Sequence, residues 1–385
     1  MFIRSTAFLL FLGAYVYLRV IHPLRWPKWV KALVAAAALV PPTLRDVMLN
    51  HAGGSYFAPQ VAPWALYGTA VLFVAFFIYL CGVLGGSFLR AVAQRALSVW
   101  KNKSNEAQQR VINCYHLLLL PVALSVSAIG VYCGLAEPSV RSLTLPFPIA
   151  APLRIVQLSD LHISRARSAE YMSDIVDRVN ALEPDLVVIT GDFTDGLPDT
   201  CADAVAPLRG LRAKYGVYGV TGNHDYYSCY ALWSVALETY GICMLNNAHI
   251  QLPHPHALTL AGVTDESASY ERMEGPNLPK ALEGAPGDLP TVLLAHRPIV
   301  AREAEPQGVD LQLSGHMHGG LVWGIGKLVA VMDAGYLSGL YRVGHMQLYV
   351  SPGTGSSTRT PLRIGTPAEI TLITLVPERK AAAQP

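Results

Sequence analysis

The sequence predicts an α/β protein in which about four N-terminal transmembrane helices precede a globular domain of alternating strands and helices. Three observations carry this. Long apolar runs are confined to the first 135 residues. From Leu153 onward, apolar runs of strand length alternate with segments of helical periodicity. Several of the strand-like runs end in clusters of aspartate, asparagine and histidine.

Composition agrees with the division. A chain of 385 residues is long enough for two or three domains. Mean hydropathy is +0.33. Only 15% of residues are charged, against about 25% in typical soluble domains. The net charge of +2 argues against a nucleic-acid partner. Cys81, Cys114 and Cys133 fall in the apolar runs, and Cys201, Cys229 and Cys243 show no C-x-x-C spacing, so no disulfide framework is indicated.

A spanning helix needs about 20 apolar residues. Trp64 to Leu89 meets this without a charge, and Val111 to Leu135 meets it with His116 and Pro121 as interruptions. Phe2 to Val20 lacks an evident cleavage site and reads as an uncleaved span rather than a signal peptide. Trp29 to Leu49 contains Lys31, Pro41-Pro42 and Arg45-Asp46, and reads as a span or an interfacial helix. Charge favours the span. Arg19, Arg25, Lys28 and Lys31 follow the first run, and Arg90, Arg95, Lys101, Lys103 and Arg110 follow the third. Four spans put both basic segments in the cytoplasm and the globular domain outside it, as expected for an integral protein of the cytoplasmic (inner) membrane. The runs carry no buried acidic residue to suggest transport.

Residues 136–152 are Pro-rich and read as a linker, 153–376 as the globular domain, and 377–385 as a disordered tail. Within the domain, LRIVQL, DLVVIT, YGVYGVT, ALTLAGV, TVLLA, LQLS, MQLYVS and EITLITL read as strands. Met172, Ile175, Val176, Val179 and Leu182 share one helical face, and Ala202 to Ala213 and Tyr230 to Thr239 read as further helices. The run Leu321 to Val343 reads as a core hairpin or as an apolar wall near a site.

The polar clusters stand after these strands. QLSDLHIS offers Asp160 and His162, VVITGDFTDG offers Asp192 and Asp195, GVTGNHDYY offers Asn223, His224 and Asp225, VLLAHRP offers His296, and SGHMHGG offers His316 and His318. Singly, each has an ordinary reading: a helix cap, a polar turn, a core histidine. If extended, Asp160 and His162 point to one side, as do His316 and His318. A carboxylate such as Asp192 has two oxygens and can touch two cations about 3.5–4 Å apart.

In this order the motifs D-x-H, G-D-x-x-D, G-N-H-D, a lone His and G-H-x-H resemble the calcineurin-like metallophosphoesterase superfamily, from roughly Leu153 to Leu375. The tail YVSPGTGSSTRTPLRIGTPAEITLITL resembles that of a bacterial membrane-associated branch. The resemblance implies a two-sheet β-sandwich flanked by helices. It also implies two divalent metal ions, one on Asp160, His162, Asp192 and His318, the other on Asp192, Asn223, His296 and His316. This oxygen and nitrogen set without thiolate suits manganese, iron or zinc. The implied reaction is attack of a metal-bridging hydroxide on a phosphomonoester, phosphodiester or pyrophosphate, with the membrane tether making a lipid-linked substrate one candidate. His224 is spare in the ligand count. It is assigned to protonate the leaving oxygen or bind the phosphate, oriented by Asp225 or by Asp195. Arg297 reads equally as a phosphate ligand or a surface charge. The competing function is a non-catalytic membrane binding module on the same scaffold.

Overall fold

A computed structural model of the chain describes residues 11–15, 17–22, 26–51, 57–96, 105–324, 326, 330–331 and 334–378. The chain divides into a helical N-terminal unit and a globular unit.

In the N-terminal unit the long helices are α1 (Lys28–His51), α2 (Pro63–Ala96) and α3 (Asn105–Leu135). Among the described residues, α2 and α3 are long and apolar enough to cross a membrane. Ser127 donates to Val71 O at 2.6 Å, the Tyr79 hydroxyl meets His116 Nδ1 at 2.8 Å, and Tyr115 donates to Gly82 O at 2.6 Å. That register makes α2 and α3 antiparallel neighbours and gives their polar side chains partners in a setting without water. Leu117, Leu118, Val122 and Ile129 of α3 stay exposed, as on a lipid-facing surface. The stretch Trp29 to Leu49 is helical through both prolines but does not reach the apolarity of α2 and α3. The first expected span, Phe2 to Val20, lies largely outside the described residues.

The globular unit is a sandwich of two six-stranded sheets. Its strands are β1 (Ser139–Phe147), β2 (Leu153–Leu158), β3 (Leu186–Thr190), β4 (Val217–Val220), β5 (Ile242–Met244), β6 (Ala248–Leu252), β7 (Leu258–Gly262), β8 (Thr291–Leu294), β9 (Leu311–Ser314), β10 (Gly339–Val343), β11 (Met346–Val350) and β12 (Glu369–Pro377). One sheet runs β1-β12-β2-β3-β4-β5 and the other β10-β11-β9-β8-β7-β6. At their centres β2, β3 and β4 are mutually parallel, as are β7, β8 and β9.

The period-two pattern explains the layers. Leu153, Ile155, Leu186 and Val188 join Leu260, Val292 and Leu313 in the core between the sheets. The alternate residues Val156, Leu158, Val187 and Ile189 pack outward with Met172, Ile175, Val176 and Val179. Those four lie on α4 (Ala169–Asn180), whose N-terminus Ser168 caps by accepting from Tyr171 N. The helix expected over Ala202 to Ala213 is instead α5 (Pro198–Val205) followed by a 3-10 turn at Ala206–Gly210. The proline at its first position starts it early, and Pro207 tightens its end. At one end of the sandwich Gln157 of β2, fully buried, donates to Thr190 Oγ1 and across to Ser314 O of β9, both at 3.0 Å. It ties the two sheets together where the polar loops emerge.

Two expected boundaries change. Residues 136–152 are not a plain linker, because β1 pairs in parallel with β12 from Ser139 to Phe147 and buries Leu145 and Phe147 in the inter-sheet core. Prolines at both ends of the segment obscured it, and the alternation sits in only a few residues. Strand β12 runs to Pro377, and residues 379–385 lie outside the described residues. The described part of Leu321 to Val343 ends in β10, which pairs with β11 as a hairpin.

A fragment beginning at Leu153 therefore lacks an edge strand and exposes apolar surface that Leu145 and Phe147 cover. In thermal unfolding it should melt well below a fragment beginning at Glu137, and equal melting temperatures would contradict the structural role of β1.

Candidate metal centre

All the expected ligands leave the carboxyl ends of parallel strands: Asp160 and His162 after β2, Asp192 after β3, Asn223 after β4, His296 after β8, and His316 and His318 after β9. The loops after β2 and β3 keep pairing as they leave the sheet. Asp160 N donates to Gly191 O, His162 N to Asp192 O and Ile163 N to Phe193 O.

The backbone there is not extended, contrary to the sequence reading of D-x-H and H-x-H. Asp160 (φ 51°), His162 (46°), Asp192 (54°), His316 (72°) and His318 (47°) all adopt the left-handed region. Each such non-glycine residue costs about 1–3 kcal/mol, a strain that clusters at functional sites. These bends aim the side chains into one cluster at the ends of the strands. Gly191 (φ +85°) has no room for a side chain, since a Cβ would lie 2.6 Å from His296 Nδ1.

The result is three overlapping groups of donors, of which His162, Asp192 and His224 make the one that shares a residue with each of the other two. Asp160, His162 and His318 bring ligand atoms together in one outer group, and Asp192, His296 and His316 in the other. His162 Nε2 lies 3.0 Å from His318 Nε2, and His296 Nε2 lies 3.1 Å from both Asn223 Oδ1 and His316 Nδ1. Asp192 Oδ2 is 3.6 Å from His162 Nε2 and 3.4 Å from His296 Nε2, between the two groups. Ligands at about 2.0–2.2 Å from a cation stand roughly 3–3.5 Å from one another, so the spacing fits.

Tautomers point the same way. His162 Nδ1 is bonded to Asp195 Oδ1 at 2.8 Å and His296 Nδ1 donates to Thr190 O at 2.8 Å. Both imidazoles thus turn Nε2 toward carboxylate and amide oxygens that can only accept. A divalent cation among these donors would supply positive charge to their lone pairs.

The remaining charges are compensated locally. Burial alone would raise Asp192, but His296 and His224 hold it well below the usual carboxylate range. Asp195 is likewise held down, against burial, by His162 and His224. Burial would lower His224, yet Asp192 and Asp195 push it up to about 9. His316 is pushed down to about 3 by burial, His296 and Arg297. His318 falls to about 3 chiefly through burial.

His224 sits beside the two outer groups on α6 (Asn223–Tyr227). Its backbone N–H donates to Asp192 Oδ1 at 2.8 Å, and its Nδ1 meets Asp195 Oδ1 at 2.6 Å. Asp195 therefore holds both the His224 and His162 rings, while its Oδ2 accepts from Thr358 N. Asp225 does not take the orienting role expected as one alternative. Its carboxylate accepts from the backbone N–H groups of Asp192, Phe193, Thr194 and Gly222, at 3.0, 2.8, 3.3 and 2.8 Å. It points at the amides because these N–H groups open toward it across the bend that Asp192 makes.

Two supports had no sequence signal. Ser159 donates to Asp160 Oδ2 at 2.6 Å. Arg363, 1% exposed, donates to the carbonyls of Pro352, Gly353, Gly355 and Thr366 and reaches His318 Nδ1 at 3.4 Å. It lies 45 residues beyond His318, within the tail whose resemblance is noted above, where the sequence reading gave it no role.

Removing the Asp225 carboxylate leaves four buried amides without acceptors. Asp225→Ala should cost about 3–5 kcal/mol, judged from the penalty for unsatisfied buried groups, and Asp225→Asn less. Chemical denaturation of both variants measures this, and an Ala variant as stable as the parent would contradict the assigned role.

A family model of calcineurin-like phosphoesterases matches residues 153–320. The "Transmembrane protein with metallophosphoesterase domain" of Bos taurus is 36% identical over 276 residues, covering 67% of this chain and 62% of that protein. A Helicobacter pylori (strain J99) metallophosphoesterase is 34% identical over 255 residues, covering 66% of this chain and 68% of the relative. The metallophosphoesterase YkuE of Bacillus subtilis is 33% identical over 249 residues, with 62% and 84% covered. The chain thus spans less than two thirds of the bovine protein but most of the Bacillus one. With the ordered motifs, the two-sheet sandwich and these relatives in agreement, the chain belongs to the calcineurin-like metallophosphoesterase family.

Proposed function

We propose that this protein is a membrane-anchored phosphoester hydrolase with a binuclear metal centre. Asp160, His162, Asp192 and His318 would hold one divalent cation, and Asp192, Asn223, His296 and His316 the other. The observation that carries this reading is the position of Asp192 Oδ2, within 3.6 Å of an imidazole nitrogen from each donor group. When bound, two such cations supply a nucleophilic hydroxide near neutral pH and Lewis-acid stabilisation of phosphoryl charge.

The chain's own residues orient and transfer protons. Asp195 fixes the His162 ring so that Nε2 faces the centre, and it fixes His224 by Nδ1. His224, oriented in this way, would hydrogen-bond the phosphoryl group or protonate the leaving oxygen. Asp225 keeps the Asp192 bend in shape through the amides. The reactive end is formed by loops and the short helix α6 at the strand ends of the sandwich, which would hold the donors in place before any substrate arrives.

The substrate class is a phosphomonoester, phosphodiester or pyrophosphate. Two helices long and apolar enough to cross a membrane and a bovine relative named as a transmembrane protein support an enzyme fixed at a membrane. The basic segments after the first and third apolar runs support a cytoplasmic-membrane location with the catalytic domain outside the cytoplasm. The tether makes a lipid-linked phosphoester the first substrate to try.

Stripping metal from the purified protein should abolish hydrolysis of aryl phosphate mono- and diesters, and manganese, iron or zinc should restore it. Asp192→Asn should remove the restored turnover, and full activity in that variant would contradict a shared ligand. His224→Ala should keep its metal and lose about 10²–10⁴-fold in kcat for alkyl leaving groups, and less for nitrophenyl ones. Loss of metal instead would make His224 a ligand.

A further inference from the structure

The direction of the strands decides where the globular unit is tethered. Strand β12 runs antiparallel to β2, with Thr371 opposite Gln157 at the end where the metal loops leave. Strand β1 runs parallel to β12 and starts with Ser139 opposite Glu369, at that same end. The apolar helix α3 finishes at Leu135, so only Ala136, Glu137 and Pro138 lie before β1. At about 3.3–3.6 Å per residue, the start of β1 stays within roughly 15 Å of the end of α3. The connection is fixed rather than loose. Arg167, on the loop that follows the donor His162, donates to Gly134 O at 3.1 Å. Arg178 of α4 donates to Pro138 O at 2.6 Å and pairs with Glu137 at 3.7 Å. From Cys133 onward these residues belong to the globular unit itself.

The same end carries apolar side chains left in the open. Leu321 and Trp323 follow the donor His318 and are 39% and 79% exposed. The Trp323 backbone is held, its N–H donating to Ile364 O at 2.8 Å, yet its ring stays outside. Trp323 lines a cleft of about 580 Å³ with Arg141, Leu337, Tyr341 and Glu369. Arg141 and Glu369 stand at the starts of β1 and β12, so the cleft joins the tethered edge to the loop that carries His318. An indole is apolar in body with one polar N–H, and such rings gather where headgroups meet acyl chains.

We propose that the metal-bearing end of the globular unit rests on a phospholipid surface, with Trp323 inserted among the headgroups. The inference rests on the membrane anchoring read above and holds whatever bond the centre hydrolyses. A short, pinned connection brings that end to the lipid, and the exposed indole beside the connection gains an apolar surrounding there. On the phosphoesterase reading, a phosphoester carried by a lipid headgroup becomes the substrate class that meets the metal centre first.

The test uses the full-length protein in nanodiscs of tritiated phosphatidylcholine, with the photoreactive residue benzoylphenylalanine replacing one side chain at a time. Trp323 is the position in question. Leu118, exposed on α3, and Asp288, exposed before β8 at the end away from the metal loops, are the references. After irradiation the lipid label on the protein is measured. The expected result is label at position 323 in several-fold excess over 288, with 118 labelled as well. Label at 118 but not at 323, or equal label at 323 and 288, overturns the proposal and leaves the anchor standing. No label at 118 overturns the membrane reading and the proposal with it. Trp323→Phe decides if the photoreactive variant does not fold. Brominated phosphatidylcholine should remove less tryptophan emission from Trp323→Phe than from the parent, and an equal loss overturns the proposal.

Discussion

Four carboxylates, Asp160, Asp192, Asp195 and Asp225, are buried in one cluster of loops, and the rest of that end of the sandwich is arranged to make their charge tolerable. An isolated buried carboxylate is prohibitively costly, so each has a specific partner. Asp225 is met by four backbone amides, Asp195 by two imidazoles and the Thr358 amide, and Asp160 by the Ser159 hydroxyl and the His316 amide. Asp192 accepts the His224 amide on Oδ1, while Oδ2 faces histidine nitrogens from both donor groups, and His296 and His224 hold it well below the usual carboxylate range.

That electrostatic demand explains the strained backbone. The loops must bend within one or two residues of a strand end to bring oxygens and nitrogens from five loops to one place. Left-handed aspartates and histidines achieve this at a local cost that the surrounding hydrogen bonds and the glycines at Gly191 and Gly315 sustain. The parallel strands β2, β3, β4, β8 and β9 supply the fixed platform, and Gln157 fastens the two sheets beneath it.

Much of this was legible in the sequence because it depends on local pattern. LRIVQL, LVVIT and LQLS are short runs rich in apolar residues and coincide with β2, β3 and β9. Asp160, His162, Asp192, Asn223, His296, His316 and His318 were visible as polar residues at strand ends, and the fold gathers all of them. What stayed hidden depends on long-range pairing. Strand β1 is recognisable only through its partner more than 200 residues later. Arg363 and Asp265 act through contacts that no spacing rule anticipates. The choice between Asp195 and Asp225 as the His224 partner turned on which way each carboxylate faces, and two aspartates in G-D-x-x-D and G-N-H-D carry no sign of that.

The apolar N-terminal helices give the domain a reason to work at a membrane, and the proposed chemistry would rest on Asp192 serving two cations. The most direct measurement is the metal content of the full-length protein in detergent, equilibrated with manganese, iron or zinc, for the parent and for Asp192→Asn. The account predicts two tightly held cations per chain in the parent and the loss of at least one in the variant. One cation or none in the folded parent, or an unchanged pair in Asp192→Asn, would contradict it.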